Sequence, residues 1–216
     1  MVSSHAWQSG FQATIAVLGV LANISVIIAA WVAVRGINAW RREHIGKKRV
    51  DLAEEVLALF YEARDVIRGM RSPFTFGGEG STRPPQKGET AEEQEARRQA
   101  FVIIERYNKN RDLFGRLHSL RYRFVVRFGE GSDKPFDDLH KVLVDLWNAA
   151  RQLSTLWLES YPRDLKGPDL ERHTRRVEEA EATIWEGPPD RDPIAARVDG
   201  VVGEIESICA PVIKEA

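Results

Sequence analysis

Hydrophobic positions follow two regimes along this chain. From Phe11 to Val34, FQATIAVLGVLANISVIIAAWVAV, no residue is charged, and twelve of the twenty-four are Leu, Ile, Val or Phe. Beyond residue 50, apolar positions recur at alternating threes and fours with charged residues between them. The first regime predicts a helix that is apolar all round. The second predicts amphipathic helices that each bury one face in a shared core.

At a rise of about 1.5 Å per residue, the run 11–34 reaches roughly 36 Å, against about 30 Å of hydrocarbon in a bilayer. Its large apolar side chains favour insertion by roughly 4–7 kcal/mol, from which Gln12, Asn23 and Ser25 subtract a part. A core helix of a water-soluble domain is rarely so long without a charge. A cleaved leader carries a basic start and a small-x-small exit. Here no Lys or Arg precedes Phe11, and Trp31, Val32 and Val34 crowd the far end. The expectation is an uncleaved transmembrane helix over 11–34. Gln12, Ala16, Gly19, Asn23 and Ala30 make one of its faces small or polar. Such a face lets a second helix approach and gives an amide in lipid a partner. Gln12, Ala16, Gly19 and Asn23 are therefore the candidates for transmembrane self-association. The competing reading is a tolerated polar residue in a lone anchor.

Charge sets the orientation. Before the run stand only the terminal amine and His5; after it come Arg35, Arg41, Arg42, Lys47, Lys48 and Arg49 against Glu43 alone. The positive-inside rule places that basic side in the cytoplasm, with Trp7 and Trp40 near the two headgroup layers. The expected organisation is a short extracytoplasmic N-terminus over 1–10, the span over 11–34, a basic juxtamembrane segment over 35–49, and a cytoplasmic bundle of four-helix type over 50–216. The whole chain has a net charge of −1, so with +5 in the collar the remainder is acidic. That balance is unlike a nucleic-acid binder. It suits a collar facing an anionic inner leaflet, although setting topology is reason enough for the collar. The single cysteine, Cys209, excludes an internal disulfide and falls on an apolar helix face as a small buried hydrophobe.

The first cytoplasmic helix is expected to continue from the span to about residue 72. Its stripe is Leu52, Val56, Leu59, Ala63, Val66 and Met70, widened by Ala53, Leu57, Phe60 and Ile67. Ser72-Pro73 ends it, since proline disfavours helix in the residue before it. Residues 73–90, PFTFGGEGSTRPPQKGET, read as a long Gly/Pro-rich loop away from the membrane, its start packed down through Phe74 and Phe76. A second helix is expected over 91–128, with a Thr90/Glu93 capping box and a polar weak spot at Asn108 to Asp112. A third spans 136–160. A charged outer helix covers 169–185, and the last, capped by Asp192, covers 193–214. No strand pattern is present, and the fold class is all-α. If the second helix returns antiparallel to the first, Arg121, Arg123 and Arg127 come back beside the collar as a basic membrane surface; a solvated face with local salt bridges is the alternative.

Chemistry is sparse. No Glu has a His three residues later, and no His-Glu-x-x-His or Gly-x-Ser-x-Gly occurs. His44, His118, His140 and His173 fall on four different predicted helices, which is more often a surface pattern than a metal site. Trp147 and Trp157, at helical spacing, are expected to fill the core. The glycines of 77–80 lack the Gly-Lys-Ser/Thr ending of a phosphate loop. No catalytic residue, metal or cofactor is expected. The stretch WRREHIGKKRVDLAEEVLALFYEARDVIRGMRSPF resembles bacterial single-pass membrane proteins that carry a cytoplasmic helical domain and have no assigned activity. The resemblance implies a bacterial inner membrane and supplies no site residue. The functional expectation is a membrane-anchored, non-enzymatic interaction or scaffold protein acting on itself or a protein partner. The alternative is a membrane-associated sensor or effector that binds a small ligand through its bundle or the 73–90 loop.

Overall fold

The computed structural model describes residues 3–158, 166–188 and 190–214, without the side chains of 3–24, 27, 38, 39, 41–43 and 45. It is all-α. The helices are α1 (Ser3–Met70), α2 (Ala91–Lys109), α3 (Arg111–Phe128), α4 (Lys134–Leu156), α5 (Pro168–Ile184) and α6 (Pro193–Lys214). The chain divides into two compact units, Met1–Arg49 and Val50–Ala216.

In the first unit, the described large apolar side chains are open to solvent: Val26, Ile28, Trp31, Val32, Val34 and Ile37 are each more than half exposed. The Arg35 guanidinium lies 4.6 Å over the Trp31 ring, and Trp40 stacks on His44. Among the described residues, no helix is long and apolar enough to cross a membrane. The side chains of most of the apolar run, 11–24 and 27, lie outside the described residues, as do those of Gln12, Ala16, Gly19 and Asn23.

The second unit is built around α4. Its apolar positions, at threes and fours from Phe136 to Leu156, are buried on several sides, against α2, α5, α6 and, more lightly, α3. Residues 50–70 of α1 bury the predicted stripe, with Phe60 fully enclosed and its ring edge-on to Phe136 at 5.0 Å. Val66 and Leu57 pack at the border of that core. Enclosing a side chain the size of Phe60 is worth about 1.5–3 kcal/mol. Cys209 is fully buried in α6, and burial pushes its thiol up to about 11. The helix runs through Pro211 to Lys214.

Local chemistry sets the ends. The Thr90 hydroxyl accepts from the Glu93 amide while the Glu93 carboxylate accepts from the Thr90 amide, a reciprocal cap for α2. Asp192 accepts from the amides of Ile194 and Ala195 and starts α6. Three expectations are corrected. The helix predicted over 91–128 is two helices, because Asn110 leaves helical geometry (φ −114°, ψ 14°) and its side-chain amide donates back to the Arg106 carbonyl at 2.8 Å. An Asn side chain competing for backbone partners is a local route out of a helix. The first helix ends at Met70, two residues before the expected stop. The third helix, expected over 136–160, instead runs Lys134–Leu156, with 157–158 already in a turn; the expected turn after it falls partly on 159–165, outside the described residues.

Candidate functional site

Two buried arginines organise one end of the bundle, and neither was singled out from the sequence. Arg71, 2 % exposed, follows the last turn of α1. Its guanidinium donates to the carbonyls of Thr183, Ala182 and Trp185 at 2.9, 3.1 and 2.7 Å, closing the C-terminus of α5. It also pairs with Asp192 at 2.8 Å, the residue that caps α6. Burial raises the Asp192 carboxyl, but Arg71 and the amides of Ala195 and Gly187 outweigh that and hold it below its ordinary value. One guanidinium thus ties together the ends of α1 and α5 and the start of α6.

Arg106 on α2 does the same for the loop after α1. It donates to the carbonyls of Met70, Ser72 and Phe74 at 3.0, 2.7 and 2.7 Å and pairs with Glu79 at 2.6 Å. Beside it, the buried Glu105 carboxylate accepts from the Gly80 amide and the Thr82 hydroxyl, both at 2.8 Å. Glu89 is clasped by Arg83 and Arg97; the Arg83 hydrogen bond, then the Gln86 amide, lower its carboxyl to about 2. The 73–90 segment is therefore an ordered loop. It is pinned by charge and backbone polarity, whereas hydrophobic packing through Phe74 and Phe76 was expected. Those rings are 79 % and 78 % exposed.

A cleft of about 560 Å³ opens between α3 and α4, within the range of small-molecule sites. Leu117, Leu139 and Leu143 line its interior with Phe114 and Phe136, and Tyr107 stacks on Phe114 at 5.1 Å. Arg111, His118, Arg121 and His140 stand on its walls with Asp137. His118 and His140 are 22 residues apart on separate helices, so sequence spacing gave no hint that they line one cleft. Trp147, expected in the core, is 41 % exposed and meets Tyr107 edge-on at 5.0 Å. Trp157 packs at the core border and donates its indole N–H to Glu181 at 2.9 Å.

The predicted membrane-surface residues divide. Arg35, Lys47, Lys48 and Arg49 are exposed, while the side chains of Arg41 and Arg42 lie outside the described residues. Arg121 is half-buried and held by Asp133 and Asp137, each at 3.0 Å, so carboxylates of its own unit compensate its charge. Arg123 and Arg127 are exposed. Among the described residues, no group of three or more His, Cys, Asp or Glu could hold a metal ion. No family model matches the chain, and no curated protein or solved structure proves similar to it.

Proposed function

We propose that this protein is a single-pass, inner-membrane-anchored helical interaction protein, with its N-terminus outside and its bundle in the cytoplasm, that associates with itself or with a protein partner. The observation that carries the reading is in the first unit. An uncharged run of twenty-four residues is followed by six basic groups, and the described apolar side chains near the end of that run stand open rather than packed. An uncharged helix with apolar residues over most of its circumference needs an apolar surrounding, and the bilayer supplies one of the right thickness. The small and polar face of Gln12, Ala16, Gly19 and Asn23 is where a second helix would lie, and the basic collar would face anionic headgroups. The test is alkaline carbonate extraction of the full-length chain, followed by cross-linking in mild detergent. Recovery in the membrane pellet, with a cross-linked dimer or a reproducible partner, is expected. An unprocessed chain in the carbonate supernatant would overturn the anchor, and a clean monomer with no partner would overturn the interaction role.

The α3/α4 cleft favours a second reading, a membrane-associated sensor or effector with a small ligand in its bundle. A ligand that binds only the folded state raises the melting temperature. A thermal-shift panel of metabolites on the detergent-solubilised chain therefore tests it, and silence across the panel would remove it.

A further inference from the structure

We propose that the cleft between α3 and α4 is a binding site for a small organic anion with a flat, ring-sized apolar body, of the arylcarboxylate class. The inference rests on the second, ligand-binding reading and specifies its site and chemistry. Three features of the cleft lead to it. The interior is apolar and partly aromatic: Phe114 and Phe136 are buried at its base, and the Tyr107–Phe114 stack, tilted by only 10°, offers a flat wall. Offset stacking against such a wall suits a ring.

The polar groups on the walls are unbalanced. The single carboxylate among the lining residues, Asp137, is already held by Arg121 at 3.0 Å. That leaves the guanidinium of Arg111, which is exposed and in no ion pair among the described residues, together with the imidazoles of His118 and His140. A guanidinium offers a carboxylate two parallel donors, and imidazoles add further ones. An anionic head at the mouth and an apolar body within is the arrangement that matches both surfaces.

The third feature is Gly115. It sits within α3, lines the cleft, and has nothing within 4 Å of where a Cβ would be. Its φ lies outside the left-handed range. Glycine weakens a helix interior, and here neither backbone geometry nor packing requires it. Its effect is to leave the wall open beside Arg111 and His118.

The experiment titrates the full-length chain in neutral detergent micelles with naphthalene-2-carboxylate, and in parallel with the uncharged 2-naphthamide, by calorimetry against a detergent-only blank. The expected result is one saturable site per chain that prefers the carboxylate at least tenfold. Arg111→Gln should bring the two probes within about twofold of each other. Gly115→Leu should abolish binding of both, with a melting temperature equal to or above that of the parent. The inference is overturned by the absence of saturable binding, by equal affinity for acid and amide, or by Gly115→Leu binding as the parent does. Equal affinity would sink the anion assignment alone and leave a ligand pocket standing. The wider sensor reading is decided separately, by the metabolite panel.

Discussion

Arg71 shows how much one side chain can carry. Its five donors face three carbonyls and a carboxylate in a place where water cannot substitute for them. Truncating one partner of a buried ion pair strands the other charge, at a cost of about 3–5 kcal/mol, a large share of a total stability of about 5–15 kcal/mol. Arg71→Met should lower stability by that order in urea denaturation, and Asp192→Asn should do so comparably, because Arg71 loses its counter-charge and the Asn NH2 must face donors, either Arg71 and the Gly187 amide or the amides of Ile194 and Ala195. Equal stability of Arg71→Met and the parent would refute the clamp. Gly80 is the other demanding position. It has φ +79°, and a Cβ there would stand 2.3 Å from the Arg98 carbonyl oxygen. The left-handed conformation alone costs a non-glycine residue roughly 1–2 kcal/mol, and the backbone neighbour cannot swing aside. Gly80→Ala should therefore loosen the loop, seen as faster limited proteolysis within 73–90, whereas Gly78→Ala, at a similar φ but with open space around it, should do so less.

At the scale of elements, the loop and α2 behave as one electrostatic unit. Glu79 is held low chiefly by its hydrogen bond to Arg106, and Glu89 is lowered to about 2 chiefly by Arg83. For a carboxylate whose folded value lies below its unfolded one, the stabilisation is complete above the unfolded value and is lost as pH falls through the folded value. The loop should thus stay protected down to near pH 4.5 and become protease-sensitive between about pH 4.5 and 2. An acid-active protease such as pepsin can follow this, and a loop that opens by pH 6 would contradict the assignment. Helix α3 is the other element with a distinct character. Its exposed face carries Arg123, Arg127 and Tyr122, while Arg121 is turned to Asp133 and Asp137. Replacing Arg123 and Arg127 by Gln should weaken the binding of residues 50–216 to phosphatidylglycerol vesicles, steeply so at low salt. Replacing Arg121 should instead loosen the link between α3 and the start of α4. Vesicle binding that depends on Arg121 alone would reverse this assignment.

For the molecule as a whole, the second unit closes its own core around α4, and the first carries the apolar run and the collar. A bundle whose core, caps and loop clamp are all internal does not need the preceding segment to complete it. The cleft between α3 and α4 lies wholly within the second unit.

Much of this was legible in the residue order because it depends on local physics. The threes and fours of Leu52 to Met70 and of Leu139 to Trp157 named the buried faces, since a helix brings those positions to one side whatever it packs against. Thr90 with Glu93, and Asp192 before Pro193, marked helix starts by hydrogen bonds that span three residues. The sequence also holds the uncharged run and its basic neighbour, and the all-α class follows from the absence of any period of two. What it left open depends on contacts between distant segments. Nothing in the residue order singles out Arg71 or Arg106, because their partners are carbonyls and carboxylates of other segments, in the case of Asp192 from 121 residues away. Phe74 and Phe76 looked like packing residues, but Glu105 and Arg106 satisfy the loop's polar groups and leave the rings outside. His118 and His140 line one cleft because α3 and α4, separate helices, form its two walls. Helical period is a property of the chain itself, whereas the partner of a buried charge and the walls of a cleft exist only once separate helices meet.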